Sequence, residues 1–352
     1  MSFRSLSAQS MFEKMALEFK PEFAFTASES KGFSSWKKEA LPKVLSTLGD
    51  SIPPVSLNPM KIAEWEHDGL HKEKWLIDVQ KNLSATFLIA FPQDLKENEK
   101  RAAIQCAHGH GAFGKEPVMG NDAYAEIRDD IKKYNYDYGH RMAKAGFITY
   151  AIDWIGFGER HDTRKPNHHG QVPIDKDWCN FYYLHATLMG TTPLAINIRH
   201  GIAATDFACT FKNVDSERVG IMGLSGGGVM SLWLTLSDKR IKATEIICYS
   251  DLFAYFGVRD INYCGMQITP GLYKYVDVPD LQGLIAPEPL LINLGANDAC
   301  FKIDSAMACF HKLEKIYEAA GVREKLVLDL HPGPHAWGGN KSLEFFGKSL
   351  NL

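Results

Sequence analysis

The fold of this chain turns on Val219-Gly220-Ile221-Met222-Gly223-Leu224-Ser225-Gly226-Gly227-Gly228-Val229-Met230. An apolar run at 219–222 leads into Gly223-Leu224-Ser225-Gly226-Gly227, and a second apolar run starts at Val229. The pattern reads as strand, sharp turn and helix, with a serine at the apex. It fits G-x-S-x-G, the nucleophile elbow. Glycines leave room for a turn that side chains would crowd. Five residues alone also fit a glycine-rich turn with an ordinary serine, so the reading depends on what flanks them.

Working outward, strand-like and helix-like stretches alternate on both sides. Upstream, residues 102–107 form an apolar run ending in His108-Gly109-His110-Gly111. A helix with Tyr138, Met142 and Ala145 follows and stops at Gly146. Residues 147–153 read as another strand, followed by the loop 154–160. Residues 178–190 and 193–207 read as helices, and 215–218 as the turn before the elbow strand. Downstream, the elbow helix runs to about residue 236, with strands expected near 246–249, 287–293 and 326–330 and helices near 306–320 and 342–350. Such alternation implies a mostly parallel sheet with helices on both faces. Residues 62–92 change period and read as antiparallel strands at one edge, and 94–100 as a charged surface turn. Residues 1–60 read as a helical N-terminal extension packed on the core, with Ser34-Ser35 as a helix cap. Residues 61–352 read as the catalytic domain. Within it, insertions near 161–190 and 251–282 are expected to line the site. The polar stretch 161–177 reads as a loop over the carboxyl ends of the strands. The stretch 251–282 carries Tyr255, Phe256, Tyr263, Met266, Tyr273 and Tyr275 without strong periodicity.

The bulk composition excludes several classes. The chain has 352 residues, 45% hydrophobic and 23% charged, with a formal charge of −3. This is ordinary globular composition. The charges are intermixed, so no nucleic-acid footprint is expected. Seven scattered cysteines without a CxxC pair fit reduced, mostly buried thiols. The N-terminus lacks the apolar segment of a signal peptide, and no run is long enough to span a bilayer. The expectation is a cytoplasmic protein with no membrane partner, its oligomeric state left open.

A serine hydroxyl is a poor nucleophile unaided and needs a base and an orienting acid. Asp298 follows the strand before Asn297, and His335 follows the last strand in His331-Pro332-Gly333-Pro334-His335. The chain order Ser225, Asp298, His335 puts each group after a different parallel strand, whose ends converge in space. His335 would take the serine proton and return it to the leaving alcohol, and Asp298 would hold the imidazole tautomer. His331 competes as the base, and Asp251 and Asp304 compete as the acid. The oxyanion needs donors. One is the Gly226 N–H, and the second comes from Gly109-His110-Gly111, where His108 and His110 brace the loop. Among the 13 histidines, His161, His168 and His169 cluster with Asp162, but no zinc signature is present. No phosphate-loop or dinucleotide motif is present either. Neither metal nor cofactor is expected.

Five stretches carry a resemblance to the α/β-hydrolase superfamily. They are His108-Gly109-His110-Gly111; Asp153-Trp154-Ile155-Gly156-Phe157-Gly158; Gly223-Leu224-Ser225-Gly226-Gly227-Gly228; Leu284-Ile285-Ala286-Pro287-Glu288-Pro289-Leu290-Leu291 with Gly295-Ala296-Asn297-Asp298; and Pro334-His335-Ala336-Trp337. Over roughly residues 60–350 the chain resembles acetyl-xylan-esterase-like and dienelactone-hydrolase-like serine esterases, and its helical start is similar to their N-terminal extension. The resemblance implies an α/β-hydrolase fold and acyl-enzyme hydrolysis of small-molecule carboxylic esters. It implies Ser225 as nucleophile, Asp298 as acid, His335 as base, Gly226 as first oxyanion donor and the Gly109-His110-Gly111 loop as source of the second. Gly226 stands where many deacetylases carry Gln, and Ser225 where dienelactone hydrolases carry Cys. The expected function is hydrolysis of short- to medium-chain, acetyl-like esters. The alternatives are a peptidase or other acyl hydrolase of the same fold, and a non-catalytic binding member.

Overall fold

The computed structural model of the chain describes residues 6–26, 32–162 and 174–352. Its strands are β1 (Met60–His67), β2 (Leu70–Gln80), β3 (Leu83–Pro92), β4 (Arg101–Ala107), β5 (Ile148–Ile152), β6 (Val214–Leu224), β7 (Ile241–Ile247), β8 (Leu290–Gly295) and β9 (Leu326–His331). They form a nine-stranded mixed sheet in the order β1-β2-β3-β5-β4-β6-β7-β8-β9. The pairs β1·β2, β2·β3 and β3·β5 are antiparallel, and all pairs from β5·β4 to β8·β9 are parallel.

The central strands are apolar because both faces are covered. In β4, Ala103 and Ala107 enter one core, while Ala102, Ile104 and Cys106 enter the other. In β6, Ile221 faces the first core, and Met222 and Leu224 face the second. This two-residue alternation is the pleat itself. At the sheet's edge β1 is exposed along most of its length and carries Lys61, Glu64 and Glu66, charges that discourage edge-to-edge pairing.

The helices are α1 (Ala8–Glu18), α2 (Gly32–Ser46), α3 (Lys115–Val118), α4 (Ala125–Tyr134), α5 (Tyr138–Lys144), α6 (Ile174–Leu188), α7 (Pro193–Ala208), α8 (Gly226–Ser237), α9 (Leu272–Tyr275), α10 (Val278–Gly283), α11 (Ile303–Ala319) and α12 (Ser342–Leu350). Trp36, Ala40 and Val44 of α2 join the first core together with α7, α8 and α11. Tyr138 and Met142 of α5 and Phe345 and Phe346 of α12 cover the opposite face. The N-terminal segment is held by specific bonds as well. Phe25 N–H donates to Asp280 Oδ1 at 2.8 Å, and Lys37 Nζ donates to the Ala286 carbonyl at 2.6 Å.

Several local expectations change. Helix α2 already starts at Gly32, so Ser34 and Ser35 lie in its first turn and do not cap it. Most of the expected loop 161–177, with His168 and His169, lies outside the described residues, and α6 begins at Ile174 rather than 178. The stretch 251–282 holds a π-helix, Phe253–Arg259, besides α9 and α10. Helix α10 starts at a capping box in which Asp277 and Asp280 exchange bonds with each other's backbone. Its aspartates were visible in the sequence; its length of six residues gives no periodicity to detect. No helix among the described residues is long and apolar enough to cross a membrane.

Candidate functional site

Parallel pairing brings the carboxyl ends of β4, β6, β7, β8 and β9 to one edge. Ala107 pairs with Gly223, Leu224 with Ile247, Ile247 with Asn293, and Gly295 with His331. The segments that leave these ends carry Gly109 and His110, Ser225, Asp298 and His335. At the elbow, Ser225 adopts φ 60° and ψ −116°, a region that non-glycine residues rarely occupy and that costs about 1–3 kcal/mol. Its N–H donates to the Ile247 carbonyl at 2.8 Å. A side chain at Gly227 would collide with the Ala107 carbonyl, and one at Gly223 with the Gly227 carbonyl. These two glycines allow β4, β6 and α8 to approach closely enough to hold the strained turn. Gly226 opens α8, so its N–H belongs to the first turn, where donors lack intrahelical partners and the helix dipole is positive.

His335 Nδ1 donates to Asp298 Oδ2 at 2.7 Å. Asp298 Oδ1 accepts from Cys300 N–H at 2.7 Å and Phe301 N–H at 3.0 Å. Burial would raise this carboxyl, but the His335 bond and charge and the two backbone donors outweigh it and hold it below the usual range. The His335 ring stacks on Phe301, with centroids 5.8 Å apart and planes at 19°. His331 points elsewhere. It is buried at the end of β9, where its Nδ1 accepts from Gly333 N–H at 3.1 Å. Asp251 is buried and accepts from its neighbour's N–H, Leu252, at 2.6 Å. Burial pushes its carboxyl up to about 6. Asp304 sits exposed in the first turn of α11.

The loop after β4 is fixed from below. His108 Nε2 accepts from Trp154 N–H at 2.9 Å, so the ring proton must sit on Nδ1, which donates to the Gly109 carbonyl at 2.7 Å. Burial lowers this imidazole to about 4 and keeps it neutral. Beneath it, the buried Asp153 carboxylate accepts from Lys115 N–H and Lys115 Nζ, both at 2.8 Å, and from Glu159 N–H at 3.1 Å. Lys115 Nζ also reaches Glu159 Oε2 at 2.7 Å. Burial alone would depress the Lys115 ammonium, but Asp153, Glu116 and Glu159 outweigh it and raise it. Above, Gly109 N–H donates to the Tyr136 hydroxyl at 2.6 Å. That donor is therefore engaged, which leaves His110, a residue that lines the cavity beside Ser225, as the candidate of the loop.

Ser225, His335, Gly109 and His110 line a cavity of about 290 Å³ together with Leu224, Tyr134, Tyr136, Asn262, Tyr263, Cys264, Gln267, Cys300 and Phe301. Gly226 and His110 line a small void beside it; Gly111 lines neither. Of the aromatic residues singled out in 251–282, Tyr263 reaches the main cavity. Tyr273 instead donates to the Ala16 carbonyl of α1 at 3.0 Å, and Tyr275 packs on Phe23. Tyr134, Tyr136 and Phe301 were not foreseen. Tyr136 lies 27 residues from Gly109, and no local pattern marks it as a neighbour of that loop.

Three groups of side chains among the described residues have ligand atoms close enough to share an ion: His110, Cys179 and Cys264; Cys248, Asp298 and His335; and Glu64, His71 and Glu73. The second overlaps the histidine–aspartate pair, and the third lies on the β1–β2 edge.

Residues 2–214 match the model of the Abhydrolase family, a match that ends short of Ser225. A Bacillus subtilis (strain 168) protein named "Putative hydrolase YtaP" is 23% identical over 290 residues, which are 82% of this chain and 89% of that protein. Among solved structures, a "putative acetyl xylan esterase" from Bacteroides fragilis NCTC 9343 matches with a TM-score of 0.75 at 18% identity, covering 93% of this chain and 83% of its own. A glucuronoyl esterase from Solibacter usitatus matches with a TM-score of 0.66 at 15% identity, covering 94% of this chain and 97% of its own. At these identities the likeness is one of fold.

Proposed function

The chain belongs to the Abhydrolase family, and from that premise we propose that it is a serine carboxylic-ester hydrolase acting through an acyl-enzyme on short- to medium-chain, acetyl-like esters. The observation that carries the reading is the shared cavity. A serine on a strained elbow and a histidine bonded to a buried aspartate at 2.7 Å both face it.

In this reading Ser225 Oγ attacks the ester carbonyl and passes its proton to His335 Nε2. Asp298 keeps the other ring proton on Nδ1 and stabilises the imidazolium. The oxyanion is held by Gly226 N–H at the start of α8 and by His110 N–H. Tyr136, whose hydroxyl oxygen accepts from Gly109 N–H, keeps its own proton to donate into the cavity. The alcohol leaves with the proton from His335. Water, deprotonated by the same imidazole, then attacks the acyl-enzyme and releases the acid. Every transfer uses side chains of this chain and water.

The cavity supports the acyl preference. About 290 Å³, walled by Leu224, Tyr263 and Phe301, suits a small acyl group better than a long chain. We assign the catalytic unit to residues 61–352 and the supporting extension to residues 1–60. The test is hydrolysis of p-nitrophenyl esters from acetyl to octanoyl. The expected result is highest kcat/KM at the short end, with activity lost in Ser225→Ala. A clear optimum at octanoyl would defeat the acyl assignment, and full activity in Ser225→Ala would defeat the serine mechanism.

A further inference from the structure

We propose that His110, Cys179 and Cys264 form a zinc site that ties the oxyanion loop to two distant segments. His110 Nε2 lies 3.2 Å from Cys264 Sγ and 3.7 Å from Cys179 Sγ. All three ligand atoms lie within 4.8 Å of one another. With Zn–S about 2.3 Å and Zn–N about 2.0–2.1 Å, a tetrahedral ion sets its N···S edges near ~3.5 Å and its S···S edge near ~3.8 Å. The two N···S separations straddle that edge. The donor set is soft, two sulfurs and one imidazole, and both cysteines are buried. Such a set suits zinc and is poorly matched to magnesium or calcium.

The surroundings favour an ion over a chance cluster. Gln267 is 6% exposed, and its Oε1 is buried with no hydrogen-bond partner among the described residues. Gln267 N–H donates to the Cys264 carbonyl at 3.0 Å, and Gln267 lines the same two cavities as His110. An acceptor left unpaired inside a protein is costly, and Gln267 brings one to the residues that line the cavity with His110 and Cys264. Binding converts two thiols to thiolates and releases two protons. With neutral imidazole the two thiolate charges cancel those of Zn²⁺, so the buried site is neutral.

The ligands join three parts of the fold: the loop after β4, helix α6, and the loop between the π-helix and α9. The His110 ring also lies over Gly226, where a Cβ would sit 3.1 Å from His110 Nδ1. A bound ion would fix this ring and the His110 backbone beside Ser225. That last consequence rests on the proposed esterase reading; the site itself does not.

The experiment uses the full-length, reduced protein. Zinc content after dialysis against micromolar zinc and then metal-free buffer is measured by mass spectrometry. Cobalt(II) reports the ligands through its thiolate charge-transfer absorption. Wild type should hold about one zinc per chain and give that band. Cys264→Ser and Cys179→Ser should each lose most of the zinc and weaken the band while melting cooperatively, and Cys209→Ser should keep both. Wild type that takes up no zinc and gives no cobalt band overturns the proposal. So does a Cys179–Cys264 disulfide that, once reduced, leaves the protein unable to bind either ion, or zinc retained in full by both folded cysteine variants. Zinc bound with no ester hydrolysis would leave the site standing and count against the esterase reading alone.

Discussion

His335 and His331 are four positions apart, yet only His335 faces the Ser225 cavity. His331 is packed against the glycine turn that follows it. Replacing His335 by Ala should lower kcat/KM by about 10³-fold or more, because the nucleophile loses its base. Replacing His331 by Ala should leave kcat/KM within a few-fold and lower the melting temperature, because it opens a void in a buried position. Steady-state kinetics and thermal melts of the two variants decide the matter, and the reverse pattern would transfer the base role to His331. The sequence showed both histidines after one strand and could not choose between them. The choice depends on how Pro332-Gly333-Pro334 turns the chain, which spacing alone does not encode. The elbow was legible because its demand is steric: Gly223 and Gly227 stand where β4, β6 and α8 touch.

At the scale of elements, the loop after β4 owes its position to a buried ion pair that no local pattern announces. Lys115 and Asp153 are 38 residues apart, and both are fully buried. Strands β4, β6 and β8 were readable from the apolar runs that burial on both faces imposes, such as 102–104, 219–222 and 290–292, whereas β6 also takes in the polar residues 215–218, which the sequence pattern read as a turn. Helices α3 and α4 were not anticipated, being short or strongly charged. The buried Lys115 would be misread from sequence as a surface residue. Lys115→Met would leave the Asp153 carboxylate buried with only backbone donors. The expected loss is about 3–5 kcal/mol of stability, measured by urea unfolding with kcat compared at a temperature where the variant stays folded. A loss below about 1 kcal/mol would mean that the backbone N–H groups suffice to hold the charge.

Across the whole molecule, the sheet carries one ionisable group whose state should shape the pH dependence of stability. Glu245 of β7 is fully buried between the sheet and α12, and burial pushes its carboxyl up to about 8. The bonds it accepts from Ser342 Oγ at 2.8 Å and Trp337 Nε1 at 3.2 Å only partly offset this. The folded protein therefore keeps a proton that the unfolded chain releases near 4.5. Stability contributed by this group is complete below that value and falls as pH rises toward about 8. Glu245→Gln supplies the neutral form permanently. Its advantage over wild type should be small near pH 5 and grow to a few kcal/mol, in order of magnitude, by pH 8. Unfolding curves that stay parallel across this range would contradict it. The architecture itself was accessible from the alternation of strand and helix. What the sequence did not reveal were the groups that meet only through the completed fold: Tyr136 against Gly109, Lys115 against Asp153, and the two cysteines beside His110.

Covalent capture tests the proposed role of Ser225 as the nucleophile. The protein is treated with a fluorophosphonate, and the adduct is mapped by peptide mass spectrometry. One adduct per chain is expected, on the peptide that contains Ser225, with none in Ser225→Ala and much slower labelling in His335→Ala. Labelling of Ser225→Ala at the wild-type rate, or an adduct on another residue while Ser225 stays unmodified, would contradict it.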